Sequence, residues 1–262
     1  VWACCIARHC HRLCVQGFHE WTPCPCVSGI IEILFLERPP PAHTKGYNPM
    51  NIVDRLSSLR LVPVVSLPTV EAGLRLSELL LQCRLGVIEI TYRTECAGEA
   101  IEQICSQFPE LIVIAGTVLV PEQVDQSAEA GVQGIVSPGF TSKLAAHCRD
   151  RQIDFFPGVC TPSEVQAARE EDLRHLKFFP ASLSGGIKMI DLFGALYPDV
   201  RFMPTGGINQ DNLNDFLNCA NVLCCGGTWL CPEGLMSEGR WEEIERRVKT
   251  AVEVLEAQTY NP

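Results

Sequence analysis

The chain is 262 residues long, 47% hydrophobic and 20% charged, with a formal net charge of −10. That length and apolar content suffice for the core of one large α/β domain or two small ones, and they exclude wholesale disorder. The acidic balance, without clustered Lys and Arg, excludes a nucleic-acid surface; no run reaches the roughly 18 apolar residues of a membrane span, the nearest, Gly29 to Glu37, being short and interrupted by Glu32.

Residues 1–49 differ in kind from the rest. They hold six of the 15 cysteines, four of the six histidines, two of the four tryptophans and the triplet Pro39 to Pro41, with no helical or strand periodicity. The first methionine is Met50, where an amphipathic helix leading into an apolar strand begins. The segment is therefore expected to be an irregular extension, disordered or foreign to the native protein. Cys4, Cys5, His9, Cys10, His11, Cys14, Cys24 and Cys26 are zinc-ligand types, so a zinc-dependent interaction module is the competing reading. The paired spacing of a zinc site is absent, however, and no metal is expected. The other nine cysteines sit in apolar patterns and read as small core residues of a protein kept in a reducing, cytoplasmic compartment.

From Met50 onward apolar runs alternate with amphipathic stretches. Strands are predicted at Leu61 to Leu67, Val87 to Tyr92, Leu111 to Thr117, Gly134 to Ser137, Asp154 to Val159, His175 to Phe179, Arg201 to Thr205 and Val222 to Cys225. Helical patterns lie among them at Val70 to Arg84, Ala97 to Phe108, Pro121 to Ala130 and Gly185 to Tyr197, and Arg240 to Gln258 closes the chain. Eight such units in this length predict a compact single (β/α)₈ barrel preceded by a short N-terminal helix, although a doubly wound open sheet gives the same alternation.

In a barrel strand alternate residues face the axis. Applied to "VIEITYR", that parity sends Ile88, Ile90 and Tyr92 toward the helices and Glu89, Thr91 and Arg93 inward. Applied to "HLKFF", it sends Leu176 and Phe178 outward and His175, Lys177 and Phe179 inward. Lys177 and Glu89 then share one interior. A buried ion pair without chemistry is the bland alternative, but such pairs rarely stabilise a fold on balance.

Desolvation beside Phe179 and repulsion from Arg93 favour a neutral Lys177 amine, and an ionised Glu89 opposes them, so the balance turns on burial. A neutral amine attacks a ketone; as a Schiff base it makes a 2-keto acid an electron sink through which the C3–C4 bond can break. Glu89 can move the protons. Arg93, at the C-terminal end of its strand, suits a substrate carboxylate, or equally is a surface arginine. The glycine pairs Gly206–Gly207 and Gly226–Gly227 follow the seventh and eighth strands, the loops in which such barrels hold phosphate on backbone N–H groups. A phosphate-binding isomerase or synthase that uses Glu89 and Lys177 without a covalent intermediate is the competing enzyme.

The motifs "GVIEITYRTE", "VIAGTVL", "GIVSPGFT", "FFPGVCTPSE", "LKFFPAS", "RFMPTGGI" and "VLCCGGTWL", in order from Met50 to Glu256, resemble those of bacterial 2-keto-3-deoxy-6-phosphogluconate aldolases. The resemblance implies a class I, cofactor-free and metal-free aldolase of the Entner–Doudoroff pathway, a (β/α)₈ barrel and commonly a homotrimer. Such enzymes split a small-molecule 2-keto acid into pyruvate and glyceraldehyde 3-phosphate, and many also cleave 4-hydroxy-2-oxoglutarate to pyruvate and glyoxylate. Carried across, it makes Lys177 the Schiff-base lysine and Glu89 the general acid/base. Arg93 and Thr117 would contact pyruvate, Pro138 and Phe179 would shape its pocket, and Thr205 would sit at C4. Gly206, Gly207, Gly227 and Thr228 would bind phosphate. The chain departs from the family in having Thr228 where serine is usual and Ser182 where an acidic residue is frequent; residues 1–49 have no counterpart.

Overall fold

The structure is a computed structural model and describes residues 51–259. The N-terminal extension and its zinc-ligand candidates lie outside the described residues. Helix α1 (Ile52–Leu59) opens the fold. The Asn51 side chain caps it by accepting from the Val53 amide at 3.0 Å, and Arg60 ends it in a left-handed conformation, φ +61°. Its buried Ile52 and Leu56 pack on the N-terminal ends of the strands, Ile52 against Gly134.

Strands and helices then alternate: β1 (Leu61–Val65), α2 (Val70–Gln82), β2 (Val87–Thr91), α3 (Ala97–Gln107), β3 (Ile112–Gly116), α4 (Pro121–Ala130), β4 (Gly134–Val136), α5 (Ser142–Asp150) and β5 (Asp154–Phe156). There follow β6 (Gly158–Val159), α6 (Pro162–Glu170), β7 (His175–Phe178), α7 (Gly186–Leu196), β8 (Arg201–Pro204), α8 (Leu213–Leu217), β9 (Cys225–Gly227), α9 (Glu233–Ser237) and α10 (Trp241–Thr259). The helix starts are written locally. Thr69, Thr141 and Thr161 each accept from a first-turn amide, and Thr161 with Glu164 forms a full capping box.

Every strand pairing is parallel, as short strands linked by helices require. The ladder order is β5-β4-β3-β2-β1-β9 in one sheet and β6-β7-β8 in the other. The result is an α/β fold with a curled parallel sheet. It corrects the expectation of one continuous barrel ladder at two places. The predicted strand Asp154 to Val159 is two strands broken at Pro157, which has no N–H to donate, although its carbonyl accepts from the Lys177 amide at 2.8 Å. Between β8 and β9 only the isolated bridges Phe202–Val222 and Thr205–Gly226 form.

The last strand also moves: Val222 to Cys225 was expected, whereas Cys225–Gly227 is found, because Leu61, Val62 and Pro63 of β1 pair with those three residues. Helices α5, α6, α8 and α9 complete the helix set.

The outward side of the expected parity is seen at Phe178. Phe178 stacks edge-on against Phe193 of α7 at 5.9 Å and Phe202 of β8 at 6.5 Å, and Phe193 lies on Phe202 at 5.4 Å. The nine cysteines of this part are free thiols; burial pushes Cys105 up to about 11 and Cys148 up to about 12, so these two pack as neutral apolar groups. No helix among the described residues is long and apolar enough to cross a membrane.

Candidate active site

Two charged side chains are buried among the described residues, Glu89 and Lys177. Glu89 projects inward from β2 and is 0% exposed; Lys177 projects from β7 and its side chain is 5% exposed. Their Oε1 and Nζ atoms meet at 2.9 Å. The second carboxylate oxygen, Oε2, is buried without a hydrogen-bond partner among the described residues. Strand parity sends both residues inside; the structure joins them although they are 88 positions apart.

Three further buried polar residues lie at or just past the C-terminal ends of strands: Thr91, Ser137 and Thr205. Thr91 donates to the Val65 carbonyl at 2.8 Å and lies 3.0 Å from the Ser66 hydroxyl, tying β1 to β2 beside Glu89. Thr205 reaches the Met203 carbonyl at 3.4 Å. Polar groups thus gather at the end of the strands where parallel α/β folds carry their sites.

The remaining expected residues stand at the same end. The Phe179 ring lies 5.6 Å from Lys177 Nζ, supplying the apolar wall. Arg93 is exposed just past β2, and its guanidinium has no partner among the described residues. Thr117, half-buried after β3, adopts φ +55°, a left-handed conformation that a β-branched residue takes only under constraint. Pro138 is exposed after β4, and its carbonyl backs onto Gly158. Gly206 and Gly207 take φ +95° and +80°. Gly227 is buried against the Trp229 ring, and Thr228 is exposed. Ser182 is exposed with its side chain over Gly207.

His175 does not join this group. It lies at the opposite end of β7, lining a cavity of about 370 Å³ with Asp154, Arg174 and Cys148. Burial, reinforced by Arg201, pushes its imidazole below the ordinary range. Among the described residues no cluster of three or more His, Cys, Asp and Glu is arranged to hold a metal ion.

Sequence reasoning passed over Gly116 and Gly158 and named Gly226 only as part of a phosphate loop, although all three clear space for the site. A β-carbon on Gly116 would strike the Glu89 carboxylate; one on Gly226 would strike Thr205 Oγ1; one on Gly158 would strike the Pro138 carbonyl. Glycine inside an apolar strand pattern was the available signal, since it marks close approach of a neighbour.

Comparison with known proteins places these features in context. The family model described as "KDPG and KHG aldolase" matches residues 52–247. A 2-dehydro-3-deoxy-phosphogluconate aldolase of Haemophilus influenzae is 36% identical over 210 residues, covering 80% of this chain and 99% of the relative. A KHG/KDPG aldolase of Escherichia coli K12 is 39% identical over 193 residues, 74% of this chain and 91% of the relative. Among solved structures, a Legionella pneumophila KDPG aldolase with pyruvate captured as a covalent carbinolamine superposes with a TM-score of 0.73 at 33% identity, over 78% of this chain and 98% of that one. A Zymomonas mobilis 2-keto-3-deoxy-6-phosphogluconate aldolase with 3-phosphoglycerate gives a TM-score of 0.70 at 33% identity, over 78% of this chain and 96% of that one.

Proposed function

This chain belongs to the KDPG and KHG aldolase family, and from that premise we propose that it is a class I aldolase working through an imine at Lys177. It is a lyase that cleaves 2-keto-3-deoxy-6-phosphogluconate to pyruvate and glyceraldehyde 3-phosphate, and it also cleaves 4-hydroxy-2-oxoglutarate to pyruvate and glyoxylate. The observation that carries the reading is the buried amine of Lys177 held 2.9 Å from the buried carboxylate of Glu89.

The pair performs the chemistry in balanced steps. Lys177 hands a proton to Glu89, and the free amine adds to the C2 ketone. Glu89 returns that proton as the hydroxyl leaves as water, and an iminium remains. The Glu89 carboxylate then removes the C4 hydroxyl proton, the C3–C4 bond breaks, its electron pair moves into the iminium as an enamine, and the aldehyde departs. Protonation at C3 and addition of water release pyruvate and restore Lys177. The carbinolamine held by the Legionella relative is the adduct this sequence requires.

Around that pair, Arg93 takes the substrate carboxylate with a guanidinium that has no partner among the described residues. Thr117 contacts the pyruvate part, Pro138 and Phe179 bound its pocket, and Thr205 reads the configuration at C4. Gly206, Gly207, Gly227 and Thr228 hold the phosphate; the positive φ of the first two and the phosphorylated ligand of the Zymomonas relative support this assignment.

The parallel strands and two isolated bridges support closure as a single (β/α)₈ barrel in residues 50–262, with residues 1–49 outside the aldolase unit. The exposed Leu119, Val120, Leu183, Leu192 and Leu196 support a subunit contact, and a homotrimer is proposed. The free thiols support a cytoplasmic location.

Borohydride reduction with pyruvate present is the direct test. One pyruvate-derived mass on the peptide containing Lys177 is expected; its absence from folded protein ends the reading.

A further inference from the structure

The glycine pair after β8 is held by hydrogen bonds that assign a role to a residue no motif singled out. The Ser182 amide donates to the Gly206 carbonyl at 3.0 Å, and the Ala181 amide to the Thr205 carbonyl at 2.8 Å, so the loop after β7 is fastened to the backbone after β8. On the next peptide the donor is a side chain: Asn212 Nδ2 reaches the Gly207 carbonyl at 2.9 Å.

In a planar trans peptide the N–H points opposite the carbonyl of the preceding residue. Fixing the Gly206 carbonyl on Ser182 turns the Gly207 N–H away from that loop. Fixing the Gly207 carbonyl on Asn212 turns the Ile208 N–H away from Asn212. Neither amide has an acceptor among the described residues, and Gly207 is exposed at this end of the strands. Consecutive amides presented without a protein partner form an anion cradle. One of its two peptides is oriented by a backbone donor, Ser182, and the other depends on one side chain.

We propose that Asn212 is a positioning residue for the phosphate end of the substrate, acting by holding the Gly207–Ile208 peptide with its N–H turned toward the anion. The inference rests on the phosphate cradle proposed above. Asn212 stands at the N-terminus of α8, and its other side-chain atom, Oδ1, accepts from the Asn209 amide at 2.9 Å. The side chain therefore does two separable jobs. Its oxygen shapes the 209–212 turn, and its nitrogen fixes the glycine peptide. Asn212→Asp keeps the first and removes the second, since an ionised carboxylate accepts and cannot donate. It also faces a carbonyl oxygen with negative charge.

The experiment measures pyruvate release from 2-keto-3-deoxy-6-phosphogluconate and from 4-hydroxy-2-oxoglutarate by the full chain, Asn212→Asp and Asn212→Ala. Both variants are expected to raise KM for the phosphorylated substrate about tenfold, as loss of a bond supporting an anion contact does. Their kcat on it should stay within about twofold, their KM for the unphosphorylated substrate should not move, and inhibition by inorganic phosphate should weaken in parallel. Equal changes on both substrates, unchanged KM on both, or an Asn212→Asp enzyme that behaves as the parent would each overturn the inference. Either variant alone suffices if the other fails to fold. A parent chain that releases pyruvate from neither substrate and traps none on Lys177 refutes the aldolase reading instead, and this inference falls with it.

Discussion

The Nζ of Lys177 and Oε1 of Glu89 stand 2.9 Å apart, one on β7 and one on β2, both buried. Two opposite charges taken out of water together cost desolvation that their attraction only roughly returns, and removing one partner leaves the other stranded. Single replacements by apolar residues, Lys177→Met or Glu89→Leu, are therefore expected to lower stability by ~3–5 kcal/mol, while the double variant stays close to the parent. Urea denaturation of the four proteins checks this; a double variant as unstable as the sum of the singles contradicts it.

Catalysis separates the two partners. Lys177→Ala and Lys177→Arg should both abolish pyruvate release, because arginine keeps the charge but forms no imine. Glu89→Gln should still trap pyruvate with borohydride while turnover falls roughly 100- to 10,000-fold, the usual worth of a general acid/base. Retained turnover in Lys177→Arg would point to chemistry without a covalent intermediate.

Gly116 is expected to matter through Glu89. A methyl group there meets the carboxylate, so Gly116→Ala should displace it and lower kcat by about 100-fold, the size of effect that a shift of one ångström produces. A thermal melt within a few degrees of the parent, beside the fallen kcat, separates this from unfolding. Gly226→Ala, which crowds Thr205, should act in the same manner.

The two phenylalanines of "KFFP" should behave oppositely. Phe178 packs with Phe193 and Phe202 in the sheet–helix core, so Phe178→Ala is expected to cost ~3–5 kcal/mol of stability. Phe179 faces the Lys177 amine, so Phe179→Leu should change KM and kcat for pyruvate release with stability within about 1 kcal/mol of the parent.

His175 predicts the acid side of the stability curve. Its folded value is depressed by burial and Arg201, so below an unfolded value near 6.5 the unfolded chain binds more protons than the folded one. Stability should be flat through this group above that value and fall as pH drops through it toward the folded value. Between pH 7.5 and pH 5, on the order of the range where histidine titrates, the melting temperature of the parent should fall relative to that of His175→Phe as pH drops; parallel curves would refute the assignment.

How much of this was legible beforehand depends on whether the property is local. Strand parity is local: alternation in "VIEITYR" and "HLKFF" put Glu89, Lys177 and Phe179 on one face and Phe178 on the other, because successive side chains of a strand must point opposite ways. Helix starts are local as well, since Thr69, Thr141 and Thr161 each satisfy an amide three residues on. The pairing of strands is not. That β1 recruits Cys225, Gly226 and Gly227 as its partner, and that Pro157 splits a strand while its carbonyl still serves Lys177, follow from which segments meet after the chain has curled.

The same division runs through the site. Sequence named the lysine, the carboxylate and the glycines because their residue types carry the chemistry. Only the tertiary structure could give the 2.9 Å contact across 88 residues, the space that Gly116 leaves for Glu89, and the carbonyl that Asn212 holds. Those are distances between segments remote in sequence or set by a folded turn, and a distance of that kind is fixed by packing rather than by any one stretch of chain.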